Sequence, residues 1–110
     1  SNMKPVILES PFAGDVGRNI IYLKRCIQDC LKHGESPYAS HAVIAASSAL
    51  DDVNPLERQL GIEAGHTWRY VCMTTVVYID YDISDGMLTG IAASRSLNHQ
   101  VFYRKIGKNP

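Results

Sequence analysis

The sequence predicts an α/β fold: a small three-layer sandwich whose mainly parallel sheet has four to five strands, with helices on both faces. Three observations lead there. Thr74-Thr75-Val76-Val77-Tyr78-Ile79 is β-branched and aromatic and carries no charge, which marks a central strand covered on both sides. Around it, short apolar runs alternate with segments of helical period, and such alternation gives parallel strands joined by right-handed helical crossovers. The chain has 110 residues, enough for one domain with a core of its own.

The elements follow in order. Val6–Glu9 is the first strand, inside the run Lys4 to Ser10. Pro11 to Gly17 is a loop with two glycines around Asp15, and it lets backbone approach a ligand closely. Arg18–His33 is a helix with Ile20, Leu23, Ile27, Cys30 and Leu31 as its apolar stripe. Gly34 suits the position just past its end. Ser36–His41 reads as a second strand, with Pro37 near its start, where proline is tolerated. Ala42–Leu50 is either a short helix or an ordered loop over the site.

Asn54-Pro55-Leu56-Glu57 opens the next helix. Asn is a favoured cap, Pro suits the first turn, and Glu sits where a capping box places its acid. This helix extends to about Tyr70, with Leu56, Leu60, Ala64 and Trp68 on one face. Gly61 and Gly65 each cost about 1 kcal/mol against alanine inside a helix, so close packing or ligand access is expected there. Asp85–Leu97 is the third helix and Gln100–Arg104 the last strand.

Composition narrows the function. Eleven basic and eleven acidic residues cancel, so neither a nucleic-acid polymer nor an anionic membrane is an expected partner. No apolar run approaches the roughly 20 residues of a membrane span, and no signal peptide is read. The three cysteines, Cys26, Cys30 and Cys72, form no framework, which fits a reducing compartment and a cytoplasmic location. Ser1-Asn2 ahead of Met3 reads as an expression scar, leaving 4–110 as the single domain. No phosphate loop, dinucleotide fingerprint, nucleophile elbow or paired-histidine metal motif appears. No cofactor and no metal are expected.

Four motifs recur in one order: Ser10-Pro11-Phe12-Ala13-Gly14-Asp15, then Pro37-Tyr38-Ala39-Ser40-His41, then Glu57-Arg58-Gln59-Leu60-Gly61, then Ser84-Asp85-Gly86-Met87 at a strand-to-helix turn. In these the chain resembles the nucleoside deoxyribosyltransferase-like superfamily, and within it a small phage and bacterial branch. The match runs from about Val6 to Lys105. The resemblance implies a nucleotide-like ligand. Ser84, Asp85, Gly86 and Met87 would meet a phosphate at the helix start. Ser10 and Phe12 would form the first-loop wall, with Asp15 a further ligand-binding candidate in that loop; His41 would bond sugar or base, and Arg58 would pair with phosphate. Asp82 lies in the same turn. A homo-oligomer with a partner subunit closing the site is also implied.

The resemblance places the family's nucleophile, a glutamate, four residues beyond the motif glycine. Here that position is Gly90. Glycine cannot stand in for a carboxylate, so transfer by the usual covalent route is not expected. A substitute acid could come from Asp80, Asp82 or Asp85, or from Glu9 or Asp15 across the sheet. The rival reading is a non-catalytic, phage-type protein that sequesters a nucleotide-like small molecule or binds a host protein.

Overall fold

The computed structural model describes residues 2–110. Four parallel strands form one sheet: β1 (Lys4–Glu9), β2 (Glu35–Tyr38), β3 (Thr74–Tyr78) and β4 (Gln100–Arg104). Their order is β2-β1-β3-β4. Ile7 pairs with Thr75 and Glu9 with Val77, while Val76 pairs with Phe102. The uncharged run is thus an interior strand, and all five of its residues are buried. The chain steps outward from β1 to β2 and then, beyond β3, outward in the opposite sense to β4. The carboxyl ends of β1 and β3 therefore flank the point where strand order reverses, the usual seat of a ligand in open α/β sheets.

Alternation along the strands divides the core into two. Val6, Leu8, Val76 and Tyr78 point to one face and pack against helix α1 (Val16–Lys32). Val77 points to the other and packs with Met87 and Ile91 of helix α3 (Asp85–Ser96). Helix α2 (Pro55–Thr67) also lies on the α3 side, because its continuation bonds to α3 and to Glu9.

Local chemistry sets the helix ends. The Asp15 carboxylate accepts from the Arg18 N–H and caps α1; Gly34, with φ of +73°, lies just past its end. Asn54 Oδ1 accepts from the N–H groups of Leu56 and Glu57. The second half of the expected capping box is replaced: the Glu57 carboxylate accepts from the Asp51 N–H instead. The second strand stops at Tyr38, and His41 opens a π-helical turn, His41–Ala45. Past α2 a 3₁₀ turn, Trp68–Tyr70, leads to β3.

Two apolar faces differ from the expectation. On α1 the buried residues are Asn19, Tyr22, Leu23, Cys26 and Cys30, whereas Ile20 is 44% exposed and Leu31 50% exposed. The stripe is rotated because polar groups on it are satisfied inside. The Asn19 amide donates to the carbonyls of Phe12 and Ala13, and the Tyr22 hydroxyl donates to Asp80. On α2, Leu56 and Leu60 face outward, and Trp68, just past its end, is half-exposed and stacks on Tyr38. The glycines on that helix explain themselves. A Cβ at Gly65 would stand 3.0 Å from Ser40 Cβ, and one at Gly61 would stand 3.2 Å from Leu50 Cδ1. Both allow α2 to press on the segment after β2.

The rotation of α1 is testable by urea unfolding. Leu23→Ala should cost about 2–5 kcal/mol, and Ile20→Ala should stay within about 0.5 kcal/mol. Equal large losses would return the buried face to the stripe read from sequence.

Candidate functional site

A cavity of about 560 Å³ opens at the carboxyl end of β1, on the α2 and α3 side of the sheet. Its wall draws on four elements. β1 supplies Glu9, the π-helical turn supplies His41, Ile44 and Ala45, α2 supplies Arg58, Gly61, Gly65 and His66, and α3 supplies Gly86 and Gly90. Arg69, in the turn after α2, completes the base. The volume lies within the range of small-molecule sites, and a mostly apolar wall with a few convergent polar groups is their usual make-up.

The base of the cavity is a buried ion pair. Arg69 Nη2 donates to Glu9 Oε2 at 2.8 Å. Its other terminal nitrogen, Nη1, donates to Ser94 Oγ at 2.8 Å. Ser94 is bonded to Thr75 at 2.6 Å, and Thr75 to His99 Nδ1 at 2.9 Å. His99 Nε2 meets the Arg69 carbonyl at 2.7 Å. A carbonyl only accepts, so this nitrogen carries the proton. The loop of bonds returns to the residue where it began. Arg69 Nε and Thr74 Oγ1 have no partner among the described residues. Apart from Glu9, already considered as a substitute acid, none of these residues stood among the sequence candidates. A single Arg, Ser, Thr or His scattered over 31 positions shows no pattern until the fold gathers them.

Burial shapes the titration of the site. It raises the Glu9 carboxyl above its usual range, against the opposing hydrogen bond and charge of Arg69. Burial also lowers His41 to about 4, so the ring is neutral near pH 7. His41 Nε2 lies 2.7 Å from Ser10 Oγ, and the Phe12 ring meets the imidazole edge-to-face. His66 is lowered by burial and then by the charge of Arg69.

The fold gathers some sequence candidates and scatters others. His41, Arg58 and Gly86 line the cavity, and Ser10 and Phe12 reach it through His41. Asp15 caps α1 on the other side of the first loop. Asp82 sits exposed in the turn with φ of +65°. Ser84 Oγ accepts from the Met87 N–H, which removes one donor from an anion at the start of α3. Met87 itself is buried in the core against Val77 and Ile91. Asp85 is exposed in the first turn. Among the substitute acids only Glu9 lines the cavity. Asp80 is held by the Tyr22 hydroxyl and by the N–H groups of Ile106 and Gly107. Among the described residues no cluster of His, Cys, Asp or Glu could hold a metal ion, and no helix is long and apolar enough to cross a membrane.

An all-parallel four-stranded sheet with a cavity at its reversal point makes the chain an open α/β domain of the ligand-binding kind. The chain belongs to the family described as a domain of unknown function, DUF7768, whose model matches residues 4–104. Among solved structures it is similar to a 2-deoxyribosyltransferase from the psychrotolerant bacterium Bacillus psychrosaccharolyticus, with a TM-score of 0.72. That likeness covers 96% of this chain and 75% of the other at 15% identity, and so it establishes the fold. A comparison with curated proteins finds no match.

The lowered His41 pKa gives a pH test. Below about 6.5 the unfolded chain takes up a proton on this ring, and the folded chain resists until about 4. The unfolded state then binds more protons, so this residue's contribution to stability falls as pH drops through that window. Urea unfolding of the parent and of His41→Asn at pH 7, 5.5 and 4.5 should show a shallower decline in the variant. Parallel declines would mean that the ring titrates freely in the folded protein.

Proposed function

We propose that the cavity binds a nucleotide-like small molecule. The observation that carries this reading is the meeting of His41, Arg58 and Gly86 in one wall. Three separate sequence motifs supply them, and the wall stands at the strand-order reversal. Arg58 is exposed at the rim and suits a phosphate, with a charge-assisted bond worth about 1.5–3 kcal/mol. Gly86 brings the first turn of α3 against the cavity, where free N–H groups and the positive helix end favour an anion. A Cβ at Gly86 would meet nothing within 4 Å, so the space beside it is open to a ligand. The neutral His41 ring and the Phe12 face suit a sugar or base. The similar solved structure is described as a biocatalyst for nucleoside synthesis, which agrees with this class of ligand. Glycosyl transfer from position 90 is not part of the reading, since glycine stands there.

A thermal-shift screen against nucleosides, their 5′-monophosphates and nucleotide second messengers tests it. A ligand at 100 times its Kd should add about 2.7 kcal/mol of stability. Arg58→Ala should weaken binding of the phosphorylated ligands about tenfold or more, and Lys24→Ala should leave it unchanged. A screen with no hit, or equal affinity in Arg58→Ala, would remove the reading.

The same reading includes a homo-oligomer. Its support is an apolar surface on α2 and the turn after it, where Leu56, Leu60, Tyr70, Val71 and Met73 stand exposed. Light scattering should give at least a dimer, and Leu60→Glu should shift it toward monomer. A monomer at all concentrations would leave that surface to a host protein, the rival use for it.

A further inference from the structure

We infer that Glu9, delivered from β1, supplies the carboxylate of an N-glycoside-cleaving site and occupies the space that a side chain at position 90 would fill. This rests on the reading of the cavity as a nucleotide-like site and adds a reaction to it.

The first argument is steric. A Cβ built at Gly90 would collide with the Glu9 carboxyl group, standing 2.6 Å from its carbon and 2.7 Å from Oε1. No side chain fits at position 90 while Glu9 keeps its place. Glycine at 90 and glutamate at 9 are therefore one arrangement, in which an acid reaches the same volume from the strand instead of the helix.

The second argument concerns the two carboxylate oxygens. Arg69 holds Oε2 at 2.8 Å, while Oε1 accepts no hydrogen bond among the described residues. One oxygen is thus anchored and the other is left for a reacting atom. Arg69 is fixed in turn by Ser94, so the anchor does not swing. Burial raises the pKa of the group, which favours a more basic, less solvated oxygen than a surface carboxylate offers.

The third argument is elimination within the cavity. Asp52, the other acid in the wall, is on an exposed loop. Asp15, Asp80, Asp82 and Asp85 lie outside it.

The reaction balances with water as co-reactant. Glu9 Oε1 forms a bond to the anomeric carbon. The C–N bond breaks, its electron pair leaves with the base, and the departing nitrogen takes a proton from solvent. Water then attacks the same carbon, the ester C–O bond breaks, and its electrons return to the Glu9 carboxylate as the water proton passes to solvent. The products are free base and the sugar or sugar phosphate.

The test uses the intact protein with nucleosides and nucleoside 5′-monophosphates, with chromatography for free base and thermal shift for binding. The parent should release base. Glu9→Gln should bind within about threefold of the parent and lose at least about 100-fold in release rate. Glu9→Ala combined with Gly90→Glu, which returns the acid to the helix in the volume just vacated, should recover at least about tenfold over Glu9→Ala alone. In case Glu9→Gln unsettles Arg69, the parent is also treated with a 2-fluoro-substituted nucleoside. The added mass should then appear on the peptide that contains Glu9. Ligand binding without base release by the parent overturns this inference and leaves the binding reading standing. Base release that survives Glu9→Gln, or a label on another residue, overturns it as well. Absence of both binding and release removes the two together.

Discussion

The Glu9–Arg69 ion pair is the constraint around which this domain is arranged. Two charges taken from water need close geometry and further bonds to offset their lost hydration. Both are present: the 2.8 Å contact, and the run through Ser94, Thr75 and His99 back to the Arg69 carbonyl. That run ties the end of β1 to the turn before β3, to α3, to β3 itself, and to the residue just ahead of β4. The position of α2 follows, since its continuation carries Arg69. The cavity follows in turn, because its base is the pair itself and its walls are the elements the pair holds apart. The smallness of residue 90 is part of the same constraint.

The opposite face of the sheet repeats the device with different residues. Arg104 donates through both terminal nitrogens to Glu35, each at 2.7 Å, and so links β4 to β2 across two intervening strands. Tyr78 stands between, donating to Asp29 and touching Cys30 and Arg104. A sheet of four strands offers little apolar area per face, and each face here has a polar clamp among its aliphatic side chains. Such clamps specify register: a strand shifted by one residue would turn its charged group to the wrong side.

This division explains which features were legible in the sequence. Thr74–Tyr78 stood out because strong β formers without charge have few other uses. Asn54-Pro55 marked a helix start because capping is local chemistry. The motif residues His41, Arg58 and Gly86 could be named, though their convergence depended on strand order. The buried face of α1 was misread because Asn19 and Tyr22 are core residues only through partners 6 to 58 positions away. The outward turn of Leu56 and Leu60 was hidden for a related reason: periodicity reports an apolar stripe and is silent about what lies against it. Glu9 was one acid among several until the space at Gly90 singled it out.

The α1 stripe also carries two thiols, Cys26 and Cys30, both fully buried. Burial raises both above the ordinary thiol range, Cys30 to about 11. Only thiolate reacts with alkylating reagents at useful rates, so in the closed molecule these sulfurs are silent by protonation as well as by access. They become nucleophiles when α1 lifts from the sheet. The speed at which a maleimide marks them is therefore a clock for that opening, built into the native chain and read without introducing a new cysteine.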